Sequence, residues 1–189
     1  SPNRKEEEPV LTEDAMDELR GRVDAAAGSG DIACLIGILK EEHWQARQAA
    51  CFALGEMGGD AVDPLLEVVR DSEADEYARG HAILSLREIG EASTFEPLLA
   101  CLDDDVWQVR GYAARAVGVF ADSRATQPLI DTYHRDDTEH CSVRNWVAGS
   151  LHEIGDPAAL EFLREVAEND VDGGVKATAR RAVEELTEA

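Results

Sequence analysis

The chain has 189 residues, 44% hydrophobic and 31% charged, and its 40 Asp and Glu against 18 Lys and Arg give a formal charge of −22. Binding phosphates needs clustered cations that release counterions, so nucleic acid is not an expected partner. No stretch approaches the roughly 18 unbroken apolar residues of a membrane span, no secretory hydrophobic region opens the chain, and a cytoplasmic location with no membrane partner is expected.

Residues 1–11, which begin SPNRKEEEPV, are polar and acidic and read as a flexible leader; the opening Ser-Pro suggests a processed or trimmed form. From Thr12 to about Ala27, Met16, Leu19, Val23 and Ala26 share one helical face, with Thr12 as N-cap. This helix is expected to cover the open end of the first repeated unit. Five such units run over about 31–59, 60–91, 92–122, 123–156 and 157–189, forming with the first helix a single repeat domain over 12–189. Each carries a Leu-Leu-type pair, a polar break and a basic anchor: Arg47, Arg79, Arg110, Arg144 and Lys176. The anchors stand 32, 31, 34 and 32 apart, the period of stacked helix pairs.

Three after each anchor stand Ala50, Ala82, Ala113, Val147 and Ala179, and seven after it Leu54, Leu86, Val117, Leu151 and Val183. These steps lie on one helical face. Eleven after stand Gly58, Gly90, Ala121 and Gly155, where a helix C-terminus favours glycine. Pro64, Pro97 and Pro128 fall in the first turn of the next helix, where a missing N–H costs nothing, and Asp60, Asp122 and Asp156 add negative charge near that helix end. Four after the anchor stand Cys51, Ile83, Ala114 and Ala148, then Arg180; the change to a charged residue reads as the end of the stack. Trp44 and Trp107, each three before its Arg, are expected to be core staples at the start of the second helix.

The pattern resembles the HEAT repeat, and more closely the subgroup named after phycobilisome lyases, over roughly residues 31–187. The resemblance implies an all-α, right-handed α-solenoid (superhelix) of about five HEAT-like helix pairs behind an N-terminal capping helix. It also implies that Arg47, Arg79, Arg110 and Arg144 support packing within and between units. Lys176 departs from the pattern.

Cys34, Cys51, Cys101 and Cys141 form no C-x-x-C pair and are expected to pack at small apolar sites. His134, His140 and Cys141 lie together in the loop of the fourth segment, an arrangement that would bind metal only by accident. Deoxyhypusine hydroxylase, built of similar repeats, holds a di-iron centre with His-Glu pairs set directly after the repeat's Arg. Here those positions are Gln48-Ala49, Gly80-His81, Gly111-Tyr112 and Asn145-Trp146, while His152-Glu153 stands eight after its Arg. Bilin lyases and isomerases of this repeat type work as heterodimers of two repeat chains, yet no motif here demands a bilin. Neither a phosphate loop nor a catalytic triad is recognisable, so no enzyme activity, catalytic residue, cofactor or metal is expected.

What remains is surface. Opposite the core, one, five and eight after each anchor, glycine holds five of fifteen places. Each costs a helix interior about 1 kcal/mol relative to Ala, so the stripe reads either as a channel for another backbone or as tight stacking. Beside it Phe52, His81, Leu84, Arg87, Tyr112, Arg115, Trp146 and His152 combine the aromatics and arginines of binding hot spots. These are the candidate binding residues of a non-catalytic scaffold or adaptor in prokaryotic signalling or regulation. Its partner would be another protein, one form being a heterodimer with a second repeat chain, and the alternative is a subunit of a bilin-lyase-type enzyme.

Three readings of the acidity stand side by side: a halophilic adaptation, an ordinary solubilising surface, or a site for a basic partner. The spread of acids over every loop favours the first. Under it, unscreened carboxylates repel and loosen the fold in dilute buffer. The unfolding midpoint followed by circular dichroism should then rise strongly from dilute buffer to molar KCl; an unchanged midpoint would remove the salt explanation.

Overall fold

A computed structural model describes residues 11–136 and 141–188. Residues 1–10 of the leader expected over 1–11, and His140, lie outside the described residues, among which every regular element is helical. Helix α1 spans Glu13–Ser29, followed by α2 (Ile32–Leu39), α3 (Trp44–Glu56), α4 (Val62–Arg70), α5 (Glu76–Ile89) and α6 (Phe95–Ala100). Then come α7 (Trp107–Val117), α8 (Thr126–Arg135), α9 (Cys141–Ile154), α10 (Leu160–Asn169) and α11 (Gly173–Glu188). The even-numbered helices from α2 are the first, and the odd-numbered from α3 the second, members of five helix pairs. The fold is all-α and of the HEAT-repeat type.

The capping helix begins as its sequence dictates. The Thr12 hydroxyl accepts the Ala15 N–H at 3.4 Å, Glu13 and Asp14 sit in the positive first turn, and Gly30 (φ 69°) closes the end by donating to the Ala26 and Ala27 carbonyls. Its stripe Leu19, Val23 and Ala26 is buried, and α1 packs on α2 and α3.

The chain divides between Ser85 and Leu86, within α5, into two compact units. In the first, α2 packs on α3 and α4 around Leu35, Ile38, Leu39, Leu54, Leu65 and Ile83, all fully buried. In the second, α7 packs on α9 and α9 on α11, while α6, α8 and α10 each lie against the second helix of their own pair. Leu98, Leu102, Leu129, Leu151 and Leu163 fill the core of that unit. Each such leucine contributes about 1.5–3 kcal/mol by leaving water.

The two offsets with helical spacing are core positions. Ala50, Ala82, Ala113, Val147 and Ala179 are fully buried, as are Leu54, Leu86, Val117 and Leu151. Small residues three after the anchor let neighbouring backbones approach, and a serine six after it exploits that approach twice. The Ser85 hydroxyl donates to the Cys51 carbonyl at 3.2 Å in the first unit, and the Ser150 hydroxyl to the Ala114 carbonyl at 2.6 Å in the second. One expectation fails. Trp44 is 45% exposed because it is the first residue of α3 and its ring lies out beyond the core; Trp107 is half-buried.

Short 3-10 turns precede α4, α6, α8 and α10, and Pro64, Pro97 and Pro128 hold the third helical position, where no N–H partner is needed. Asp122 and Asp156 each accept a backbone N–H from their turn, at 2.9 and 3.0 Å. At the break ending each second helix the chain turns left-handed at Gly58, Gly90 and Gly155 (φ 64°, 67° and 71°), and the third pair does so with Ala121 at φ 48°. A Cβ there strains the backbone by about 1–2 kcal/mol. Ala121→Gly should therefore stabilise the chain by about 1 kcal/mol in urea unfolding, the gain being offset in part by the flexibility glycine adds to the unfolded state.

Candidate functional site

All four arginine anchors are buried, and their hydrogen bonds explain why. Arg47 Nη1 donates to the carbonyls of Glu41 and Glu42 at 3.0 and 2.7 Å, and its guanidinium lies 5.2 Å from the Tyr77 ring centre. Arg79 Nε donates to the Val69 carbonyl at 3.0 Å. Arg110 Nη1 donates to the carbonyls of Asp104 and Asp105 at 2.7 and 3.0 Å, while its Nε and Nη2 grip the carboxylate of Asp136 at 2.9 and 2.5 Å. Arg144 grips Asp170 in the same bidentate way, at 2.9 and 3.2 Å. Arg47 and Arg110 thus hold the loop between the helices of their own pair, Arg79 holds the last turn of the first helix of its pair, and in the second unit Arg110 and Arg144 hold the next pair. The Asp partners close α8 and α10; the sequence signal for them was an aspartate directly after the first helix, as at Asp71, Asp136 and Asp170.

Asp170 accepts hydrogen bonds from three residues. Burial pushes its pKa up, but hydrogen bonds from Arg144, the Tyr133 hydroxyl (2.5 Å) and the Asp172 N–H outweigh it and hold the group below its ordinary value. Burial and the Asp170 bond drive the Tyr133 hydroxyl above its usual range.

The eight candidate binding residues divide between the units. In the first, Phe52 is 64% exposed on α3, His81 and Leu84 are half-buried on α5, and His81 Nδ1 is bound at 2.8 Å to the Tyr77 carbonyl. In the second, Arg115 is exposed, whereas Arg87 is half-buried beside Glu88 (2.8 Å) and Glu153 (4.0 Å). His152 Nε2 meets Glu185 at 2.8 Å. Tyr112 and Trp146 are half-buried and stack with ring centres 5.9 Å apart, inclined at 27°.

At two places the glycine stripe fits the tight-stacking alternative. A Cβ on Gly111 would meet the Trp146 ring at 2.7 Å, and one on Gly118 would meet Glu153 and Ser150 at 2.5 and 2.8 Å. Helix α9 has taken the space that the missing side chains leave, so these glycines serve close stacking on α7 and leave no channel. Around Gly149 nothing lies within 4 Å.

Among the described residues no group of three or more His, Cys, Asp or Glu is arranged to hold a metal ion. Cys51 and Cys101 are buried as expected, Cys141 is half-buried, and Cys34 is exposed because it points off the outer side of α2. Among the described residues no helix is long and apolar enough to cross a membrane.

Tandem helix pairs pinned by a periodic buried arginine define a helical repeat protein. The family model described as HEAT repeats matches residues 32–111 and again 95–184, and the chain belongs to the HEAT-repeat family. Human deoxyhypusine hydroxylase is 29% identical over 110 residues, 58% of this chain and 36% of that protein. The bovine hydroxylase is 31% identical over 94 residues, 50% of this chain and 31% of its own length, so the match spans about a third of either relative. Among solved structures, the complex of CpcE and CpcF of phycocyanin lyase from Nostoc sp. PCC7120 superposes with a TM-score of 0.66 at 21% identity, covering 100% of this chain and 70% of that one. An engineered protein superposes with a TM-score of 0.59 at 19% identity, covering 93% and 90%. At such identities the likeness shows the fold. The expectation that the chain is not an enzyme finds no support in these names, two of which are hydroxylases and one a lyase.

The Arg144 and Asp170 pair yields a prediction. A carboxylate whose folded pKa is depressed adds stability that is complete above the unfolded value, about 3.9, and is lost as pH falls through the lower folded value. Asp170→Asn strands a buried guanidinium and should cost about 3 kcal/mol at pH 7 in urea unfolding. Its deficit should shrink as pH falls below the ordinary Asp range, and a deficit constant down to strong acid would contradict the assignment.

Proposed function

We propose that the chain is a non-catalytic protein-binding scaffold, one repeat domain over 12–189, that engages its partner through outward positions of the second helices. The observation that carries this reading is Phe52, a phenylalanine 64% exposed at mid-helix on a chain whose outer positions are otherwise densely charged. Trp44, eight residues earlier at the start of α3 and about 80° round the helix, is 45% exposed, so two exposed aromatic groups stand about 12 Å apart along it. Aromatic area of this kind anchors partners at low entropic cost. In the second unit Arg115 is the exposed member of the set, and the stacked Tyr112 and Trp146 act chiefly as the floor that holds α7 against α9. The non-catalytic part of the reading rests on register: no His-Glu pair stands directly after an anchor arginine, and His152-Glu153 comes eight residues after Arg144.

A second reading is favoured by the superposition on the CpcE and CpcF complex, in which two repeat chains assemble. There the partner of this chain is a second repeat protein, and the pair works on a bilin. The two readings separate by absorbance: a bilin added to the chain with its captured partner shifts its visible spectrum only under the lyase-type reading.

The test compares wild type with Phe52→Ala, immobilised and offered the same extract in molar KCl. A partner retained by wild type should bind the variant about 2 kcal/mol more weakly, while the melting temperature stays unchanged. Equal retention by both would remove α3 from the interface.

A further inference from the structure

The first helices carry a pattern that α2 breaks. Two before the buried leucine of each first helix stand Asp63, Glu96, Gln127 and Glu161, all exposed; in α2 the residue is Ala33. Two after that leucine stand Glu67, Ala100, Asp131 and Glu165; in α2 it is Gly37. The helix IACLIGIL bears no charged or polar-hydroxyl side chain at all, although Ala33, Cys34 and Gly37 are exposed or half-exposed, as are Ile32 and Ile36. Gly37 has no internal reason to be glycine: its φ is not left-handed, and a Cβ there would meet nothing within 4 Å. A mid-helix glycine facing open space weakens the helix without improving the packing of the chain itself.

Beside this bare face lies a groove of about 620 Å³ between α2 and α4, floored by Ile32, Ile36, Pro64 and Val68. Both walls are helices, whose backbone groups are already paired, so an occupant must also satisfy its own backbone, which a helix does. Ala33 and Gly37, one turn apart, offer the low ground into which a ridge of side chains on another helix fits. Exposed acids outnumber the one cation on its lining: Glu67 and Asp71 stand against Lys40, which is already committed to Asp71 at 3.9 Å. We infer that the groove between α2 and α4 is a docking site for an amphipathic helix of a partner protein, with an apolar face set between Ile36 and Val68 and Lys or Arg along its edge. The site is separate from Phe52 on α3 and does not depend on that residue's role.

The test uses a fluorescein-labelled 18-residue peptide of Leu and Lys at helical spacing, a peptide of the same composition in scrambled order, and anisotropy as readout. The protein is the full chain as wild type, as Ala33→Glu with Gly37→Glu, and as Phe52→Ala. The other first helices carry acids at six of the eight corresponding positions, so the double variant should fold, and circular dichroism checks that it does. If the groove binds by shape and apolar contact, the double variant loses at least tenfold in affinity despite its two extra negative charges, the scrambled peptide binds at least tenfold more weakly than the ordered one, and Phe52→Ala is unaffected. Unchanged or tighter binding by the double variant means that charge alone recruits the peptide, and overturns the proposal. So does loss of binding in Phe52→Ala. Sedimentation of the protein alone decides the remaining occupant: a wild-type dimer that the double variant dissolves would show that the groove takes a second copy of this chain, which also overturns it.

Discussion

Everything in the architecture leans on one recurrent problem, how to bury a guanidinium in each of the first four repeats, whose anchors stand 31 to 34 residues apart. A helix pair alone cannot cover its apolar face, and its connecting loop exposes carbonyls at the end of the first helix. The anchor arginine meets both needs. Arg47 and Arg110 donate into carbonyls of the loop of their own pair, Arg79 donates into a carbonyl of the last turn of its first helix, and Arg110 and Arg144 take the aspartate that ends the next first helix. A buried ion pair is a poor source of net stability, since desolvation consumes most of its Coulomb gain. Its value here is registry: a bidentate grip admits one offset between neighbouring pairs, whereas a stripe of alanine and leucine could slide.

The same logic explains why polar side chains recur at the seams. Ser85 and Ser150 stand at the same offset from their anchors and reach the same carbonyl position of the preceding second helix. Where stacking is tightest, at Gly111 and Gly118, the neighbour fills the space with Trp146 and Ser150. Side chains that serve stacking are thereby withdrawn from recognition. The exposed charged side chains are mostly acidic, against which Phe52 on α3 and the apolar outer face of α2 stand out, because a chain of net charge −22 has every reason to place a carboxylate there too.

The helix pairs and the core offsets were legible in the sequence, because each recurs and recurrence filters out accident, and the capping helix was legible from its own apolar face. Thr12 as N-cap and the left-handed breaks at Gly58, Gly90 and Gly155 followed from local chemistry alone. The aspartate partners of Arg110 and Arg144 were not read, since the pairing joins residues 26 apart on different helix pairs. The band of candidate residues was legible only as a list of types. Helical projection gives the direction a residue points from its own axis and says nothing about the helix beside it, so it could not separate Phe52, which meets solvent, from Trp146, which meets Gly111. Trp44 failed for a related reason: periodicity marks its register, but the ring sits at the helix start, past the edge of the core.

The most direct test of the anchoring role is the coupling between Arg110 and Asp136, measured by urea unfolding of Arg110→Ala, Asp136→Ala and the double variant. If the buried grip sets the registry of the third and fourth pairs, the coupling energy is about 2 kcal/mol or more, within the range of interacting buried neighbours. A coupling below about 0.5 kcal/mol, the level of an exposed surface pair, would show that the apolar stripes alone hold the stack and would contradict the account.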